Sequence, residues 1–578
     1  MMNHPVTGKV LVMGDDTRSF LACVRSLGRA GLQVHVAPFN LRSPALQSKY
    51  ITKVHRISYY LNGGADWLCE MRQLLQTEQF DLVIPCEERS LLPLQFHQSE
   101  LQGLARYALP NAAAFEAFFD KFATRELAKS HAVPVAEGRL CLAGDTAEVV
   151  AAQLPLPIIA KHRRSFSWDH LYSRDGVYPL TTQQQLVDFL AQQPARLEHV
   201  FFERMCPGFG AGLSVLCIQG QIQLAFEHHR AHELKGSSYY RKSALVDPAR
   251  LAAVSAMVQA VNYTGLAMFE FKVASDTQWV LLEVNARPWG SMPLPVAMGI
   301  DFPLGLYQVM VLGKAVKASP YPANIYGRNL VGDLWQTRSN LASTETSAWQ
   351  KLTYLARWCK DFWRVPAGRE HFDVWVADDP APGKTELKQF GAGLWETTKR
   401  KIFNNSTNRS SNNLIQQLQT VPQGALSILF VCQGNICRSS YAAYRLKKLL
   451  GSTTPIHVDS AGMLPRCARS SPPNALEAAT ALGVDMSSHF SRVVDPQSVE
   501  SAHVVFVFDQ KTYNSFLDRY PAFKSKVHFI TSIGISNNSD IEDPYGCDLS
   551  IFLETYKKID EKIDTLILLL KKIQGIQK

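Results

Sequence analysis

The chain contains no uninterrupted apolar stretch of the roughly 18 residues a membrane-spanning helix needs. Its most apolar end, Asp564-Thr-Leu-Ile-Leu-Leu-Leu570, stops at Lys571. Met1–Lys9 has no hydrophobic core of the secretory kind, so secretion is not expected. No CxxC pair occurs among 11 scattered cysteines, and their odd number reads as free thiols in a reducing, cytoplasmic setting. No run of five or more basic residues occurs. Sixty Lys and Arg against 51 Asp and Glu leave only +9 over 578 residues, too dilute for a dedicated nucleic-acid binder. The first strand-to-helix turn, Gly14-Asp15-Asp16, lacks the GxGxxG pattern, so no dinucleotide site is expected there.

What is present is a folded, multidomain composition, 46% hydrophobic and 19% charged, with a length that suggests about four domains. The first hundred residues alternate strand and helix patterns: Lys9–Met13, Thr17–Ala30, Leu32–Ala37, Trp67–Thr77 and Leu82–Pro85. Such alternation with short connections predicts a parallel, doubly wound, Rossmann-like sheet. Strands, hairpins and helices mix from Leu109 to Lys317. Six of the ten tryptophans then fall between Trp335 and Trp395, and Trp349, Leu352, Ala356, Cys359 and Trp363 share one helical face. With Lys351, Arg357, Lys360 and Arg364 nearby, that face reads either as packed on the preceding domain or as a membrane-surface helix. Asn404–Gln423, with five Asn and no acid, reads as a flexible tether.

After the tether, the apolar strand Leu426–Val431 leads into Cys432-Gln-Gly-Asn-Ile-Cys-Arg-Ser-Ser440, then a helix from Tyr441 to Leu450. A loop between a strand and a helix N-terminus gathers backbone N–H donors and the positive end of the helix dipole, which makes an anion site. The same field favours a nucleophilic thiolate at Cys432. Arg438 supplies a planar two-pronged grip for phosphoryl oxygens, Ser439 can hydrogen-bond the sulfur, and Gly434 is expected to permit the tight loop. This stretch resembles the low-molecular-weight protein tyrosine phosphatases, whose C-x-G-N-x-C-R-S signature is complete here. Asp459-Ser-Ala-Gly462, His489–Arg492, Val504–Asp509 and Asp543-Pro-Tyr-Gly546 extend the resemblance over the whole last domain. It implies Cys432, Arg438, Ser439 and Asp543 as the catalytic set, Asp543 being the general acid, with Asn435 and Tyr545 at the substrate. Ser440 stands where that family has proline. Arsenate reductases share the fold but need relay cysteines in a mobile loop, and residues 495–540 contain none.

In the middle of the chain, the strand around Trp279–Arg287 projects Glu283, Asn285 and Arg287 from one face. The preceding strand, Met268–Lys272, sets Glu270 between two phenylalanines, and a hairpin would bring Glu270 beside Glu283. Two carboxylates and an amide oxygen inside apolar runs suit a hard cation carrying a nucleotide. These residues resemble the ATP-grasp superfamily, in its carbamoyl-phosphate-synthase-like branch, through Glu283-Val-Asn-Ala-Arg287 followed by Trp289-Gly-Ser291. Asp120-Lys121, the strand ending at Lys161, and Phe201-Phe-Glu203 before Pro207-Gly208 also match. The resemblance implies ATP and Mg²⁺, with Mn²⁺ a close substitute. Lys121, Lys161 and Glu203 would hold the nucleotide, Glu270, Glu283 and Asn285 the metal, and Arg230 and Arg287 the substrate side. His162–Asp169 replaces a glycine-rich lid, and Leu234–Ser238 departs from the paired prolines and glycines of one subgroup.

The expected architecture is therefore α/β and α+β in several domains. A Rossmann-like domain spans 1–108, a two-lobed ATP-grasp domain 109–337 and an aromatic-rich helical extension 338–402. A flexible linker spans 403–424, and an α/β phosphatase with a parallel sheet 425–578. The expected function joins two activities. One is an ATP- and Mg²⁺-dependent ligation of a small-molecule carboxylate to an amine or thiol through an acyl phosphate. The other is a phosphatase working through phosphocysteine on a phosphotyrosine protein or a small phosphomonoester. The alternative is a phosphatase regulated by a nucleotide-binding, non-catalytic module. The ligase substrates and the oligomeric state stay open, and no nucleic-acid partner is expected.

Overall fold

The structure is a computed structural model. It describes residues 8–574, except 59, 61–62, 167–170, 172–175, 193–198, 235–236, 276, 343–345, 404–406, 423–424, 452–453, 465–466, 534–539 and 548. The chain divides into two compact units, Met1–Ala392 and Gly393–Lys578.

The first unit begins with a five-stranded sheet: β1 (Lys9–Met13), β2 (Gln33–Ala37), β3 (Ile51–Val54), β4 (Leu82–Pro85) and β5 (Arg106–Tyr107). Its order is β3-β2-β1-β4-β5, and every pair is parallel. β1 and β4 are buried along nearly their whole length, which is why they read as unbroken apolar runs rather than alternating ones. The expected helices form at Ser19–Arg29 and Ala65–Glu78.

A small antiparallel sheet follows, made of β6 (Gly138–Leu140), β7 (Ile158–His162), β8 (Val177–Leu180) and β9 (Val200–Arg204), in the order β6-β9-β7-β8. The third sheet has seven strands: β10 (Phe209–Ile218), β11 (Gln221–Leu234), β12 (Ser237–Ala244), β13 (Gly265–Ser275), β14 (Gln278–Asn285), β15 (Tyr326–Arg328) and β16 (Glu370–Phe372). Its order is β14-β13-β10-β11-β12-β15-β16. One core joins it to the first sheet: Val10, Val12, Phe20 and Val24 pack with Leu216, Phe226, Trp289 and Leu306. Its other face buries Val254, Met257 and Val258 of the helix Pro248–Ala260.

β16 corrects the expected division at 337/338. The stretch read as a helical extension carries the edge strand of the sheet, paired in parallel with β15. Next to it, Asp373 receives the guanidinium of fully buried Arg241, and Asp379 receives that of buried Arg25. Breaking such a buried pair by removing one partner leaves an uncompensated charge, at a cost of about 3–5 kcal/mol. These acids lock the segment into the first unit. Sequence periodicity missed β16 because a three-residue strand has no period to read.

The second unit is a four-stranded parallel sheet of β17 (Ser427–Cys432), β18 (His457–Gly462), β19 (Val504–Val507) and β20 (Val527–Phe529), in the order β18-β17-β19-β20. Side chains alternate along β17 as strand geometry requires. Ile428, Phe430 and Cys432 enter one core, with the helices Arg438–Leu450 and Leu549–Gln574, and Leu429 and Val431 enter the other.

The tether reading of Asn404–Gln423 is also corrected. Residues 404–406 and 423 lie outside the described residues, but Thr407–Thr420 is a helix. Leu414, Leu418 and Val421 are buried in the core of the second unit. Gln417 donates to the His503 carbonyl at 2.7 Å. The spacing i, i+4, i+7 places three apolar residues on one face, a stripe that average composition conceals.

Candidate active sites

In the second unit, β17 ends at Cys432 and the helix Arg438–Leu450 begins six residues later, so the intervening loop must turn sharply beneath the helix N-terminus. The residue that turns it is Asn435, at φ 53°. Gly434, expected to fill that role, has no positive φ. Asn435 tolerates the left-handed region because its side chain is tied down. Its Nδ2 donates to Ser439 Oγ at 3.0 Å and to Ser460 Oγ at 2.9 Å, and its Oδ1 accepts from the Arg492 backbone N–H at 2.9 Å. His489, whose pKa burial lowers, donates through Nε2 to the Asn435 carbonyl at 2.6 Å. The glycine this loop does need is Gly462, at the end of β18. A Cβ there would stand 3.0 Å from the Gly434 carbonyl carbon and 3.1 Å from the Asn435 nitrogen.

Cys432 Sγ lies 3.0 Å from Ser439 Oγ and accepts the Asn435 backbone N–H at 3.2 Å. Arg438 is fully buried. Its Nη1 donates to Asp509 Oδ2 and to the Ile541 carbonyl, the latter at 2.8 Å. Burial opposes its charge, but Cys432, Asp543 and Asp509 more than offset this and raise its pKa. Its Nη2 sits 2.8 Å from Asp543 Oδ2 without an aligned hydrogen bond, and Nε is likewise uncommitted. Nε is thus a buried donor with no partner, and Nη2 already faces a carboxylate oxygen, as it would face an anionic phosphoryl oxygen. Asp543 and Tyr545 stand partly exposed at the rim. Ser440, in place of the family's proline, is buried and donates to the Cys437 carbonyl at 3.0 Å. Burial pushes the Cys437 thiol well up, followed by the charges of Asp543 and Cys432. Asp509, which anchors Arg438, was legible only as a strand-end acid; its partner lies 71 residues away.

In the first unit, the hairpin of β13 and β14 sets Glu270 directly opposite Glu283, flanked by buried Phe269 and Phe271. Asn285 Nδ2 donates to Glu270 Oε1 at 3.1 Å, and Arg230, from β11, bonds Glu270 Oε2. Arg287 lies just past β14 and pairs with Glu88 of the first sheet's domain at 2.8 Å. Glu283, Asn285, Arg287, Lys121, Ser165 and Phe166 line one cavity. Its open space is about 50 Å³. Lys121 Nζ donates to Ser165 Oγ at 2.8 Å. Lys161 on β7 and Glu203 on β9 are both buried and joined by an ion pair. Residues 167–169 of the departed lid lie outside the described residues, as do 235 and 236 of the second departure. The oxygen donors of Glu270, Glu283 and Asn285 fit a Mg²⁺ ion by chemistry.

The family model for the low molecular weight phosphotyrosine protein phosphatases matches residues 427–575. A probable low molecular weight protein-tyrosine-phosphatase, EpsP of Ralstonia nicotianae, is 30% identical over 141 residues, which are 24% of this chain and 93% of the relative. The protein-arginine-phosphatase of Bacillus subtilis is 26% identical over 148 residues, 25% of this chain and 98% of that protein. A crystal structure of N5-carboxyaminoimidazole synthetase from Staphylococcus aureus, complexed with ADP, covers 55% of this chain and 81% of its own at 16% identity, with a TM-score of 0.43.

Proposed function

Because its last quarter belongs to the low molecular weight phosphotyrosine protein phosphatase family, we propose that this chain hydrolyses phosphomonoesters through a phosphocysteine at Cys432. The observation that carries the reading is the buried Arg438, whose Nε and Nη2 make no hydrogen bond while Nη1 is fixed by Asp509 and Ile541. In the first step Cys432 Sγ bonds to phosphorus as the ester P–O bond breaks. Asp543 gives its proton to the departing oxygen. Arg438 and the loop amides hold the phosphoryl oxygens, and Ser439 stabilises the thiolate when water later releases phosphate. Tyr545 at the rim supports a flat phosphotyrosine side chain, and a small phosphomonoester fits the same cradle. Acid quench during turnover of an aryl phosphate, followed by mass spectrometry, should find phosphate on the Cys432 peptide. Turnover with no such adduct rules the mechanism out.

For the first unit, the reading supported best is an ATP-grasp ligase that activates a carboxylate and joins it to an amine or thiol. Glu270, Glu283 and Asn285 would hold Mg²⁺, which on binding neutralises phosphate charge. Lys121 and Lys161 would meet the phosphates and Glu203 the nucleoside, with Arg230 and Arg287 on the substrate side. One observation favours the second reading, a nucleotide-binding module without turnover: Lys161 is committed to Glu203 and Arg230 to Glu270. Product-dependent ATP turnover across a panel of carboxylates and amines decides between them. ATP binding with no turnover on any pair would reject the ligase.

A further inference from the structure

The helix Ala348–Asp361 and the turn Phe362–Arg364 carry aromatic side chains on two opposite faces. The inner face is anchored. Trp358 Nε1 donates to Asp333 Oδ2 at 2.7 Å, Tyr354 OH lies 3.1 Å from Thr337 Oγ1, and Phe362 sits under the Arg328 guanidinium. Ser347 and Gln350 close a capping box at its start. The helix is therefore held in one rotation about its axis, and the stripe read from the sequence is the face turned outward. Trp349 is 71% exposed, Leu352 57% and Trp363 76%, with Ala356 and Cys359 exposed between them. At 1.5 Å per residue the ridge runs about 20 Å.

We propose that this ridge docks the protein on an anionic lipid surface. The ridge stands on a helix with no fully buried side chain. The ridge's large apolar side chains are Trp349, Leu352 and Trp363, with the small Ala356 and Cys359 between them, so a tryptophan, the residue suited to the level of lipid headgroups, stands near each end. Charge selects the kind of surface. From Thr346 to Arg369 the chain carries five basic residues and one acid, Asp361. That acid is paired with Arg364. Arg357 and Lys360 are exposed and make no ion pair among the described residues, so both can meet lipid phosphates.

The test is co-sedimentation of the full chain with vesicles of equal parts phosphatidylglycerol and phosphatidylcholine, and with phosphatidylcholine alone. The chain should pellet with the anionic vesicles. Binding should fall at least about tenfold in Trp349→Ser/Trp363→Ser, and should weaken in Arg357→Glu/Lys360→Glu and at high salt. Circular dichroism and the thermal midpoint should not change, since these side chains are exposed; Leu352→Lys gives a second, independent disruption. No pelleting, or pelleting untouched by the tryptophan pair and by Leu352→Lys, overturns the proposal. So does a dimer in sedimentation velocity that these variants dissolve without any effect on vesicles, because the ridge would then be covered by a second copy.

Discussion

The cradle at Cys432 is built almost wholly from consecutive residues, Cys432 to Ser439, whereas the carboxylate face at Glu270 draws on elements from Lys121 to Arg287. In the first, the turn, the thiol and the helix end come from one loop, braced by Ser460, Gly462, Arg492 and Asp509, with Asp543 a second distant acid set against Arg438. In the second, no two neighbouring residues supply the chemistry. The β13–β14 register aligns the carboxylates, and three basic groups from elsewhere are bonded to nearby polar groups. In the cradle Arg438 is held by two acids, Asp509 and Asp543, with Nε left unbonded, while on the carboxylate face Glu270 is bonded by Arg230 and Asn285. A local site is shaped within one loop, and a non-local one depends on contacts between distant elements.

The largest expected effect tests the first half of that contrast. Cys432→Ser should lower aryl phosphate hydrolysis by at least ~10³-fold and leave ATP binding unchanged. Arg438→Lys should be nearly as damaging, because an ammonium cannot reproduce the two-pronged grip. Residual hydrolysis of a few per cent in Cys432→Ser would mean another nucleophile. The second half is tested by Glu283→Gln and Asn285→Ala, each expected to cut Mg²⁺-dependent ATP turnover by about 10²-fold with the thermal midpoint kept. Chelation of Mg²⁺ should abolish turnover in the parent but leave phosphatase activity intact. Equal ATP turnover in parent and Glu283→Gln would show that the carboxylate face is not the metal site.

A third prediction concerns where the second unit begins. Leu418→Ala should destabilise it by about 2–5 kcal/mol in chemical denaturation, the cost of emptying a buried leucine site. A fragment starting at residue 425 should be weaker than one starting at residue 407. If the two fragments unfold alike, the helix Thr407–Thr420 contributes nothing.

A smaller effect distinguishes the two cysteines of the loop. Burial holds Cys437 as a protonated thiol, available to condense with an oxidised Cys432. Cys437→Ser should keep turnover but lose most of its recovery by dithiothreitol after peroxide. Bound phosphate should protect the parent. Recovery equal to the parent's would leave Cys437 a packing residue only.

The smallest effect is on pH. Burial pushes His35 of the first unit down to about 4, partly opposed by Glu78. The unfolded chain takes up its proton near 6.5, so this contribution to stability is complete above pH 6.5. It is lost as pH falls through about 4. In His35→Gln the thermal midpoint should depend less on pH over that window, and an unchanged slope would contradict it.

The same contrast explains what could be read before folding. Three of the first sheet's five strands, β1, β2 and β4, and the helices beside them follow from apolar runs and short connections, and the Cys432 loop follows from a motif inside one strand–loop–helix step. Glu270 and Glu283 could be paired in advance because a hairpin is also local. Three features were not legible: β16, the buried docking of Leu414 and Leu418, and the service of Asp373 and Asp379 to Arg241 and Arg25. In each, the partner lies far away in sequence or, for the helix, composition hides a short stripe.

By itself the sequence determined the parallel sheets, the cysteine loop and the apolar stripe at Trp349–Trp363 as one helical face. Those depend on periodicity and on contacts a few residues apart. Only the tertiary structure decided that Asn435 makes the turn, that Asp509 anchors Arg438, that Lys161 is held by Glu203, and which face of the Trp349 helix meets solvent. Buried charge must find a partner wherever the fold brings one, and no local pattern in a chain says from how far it will come.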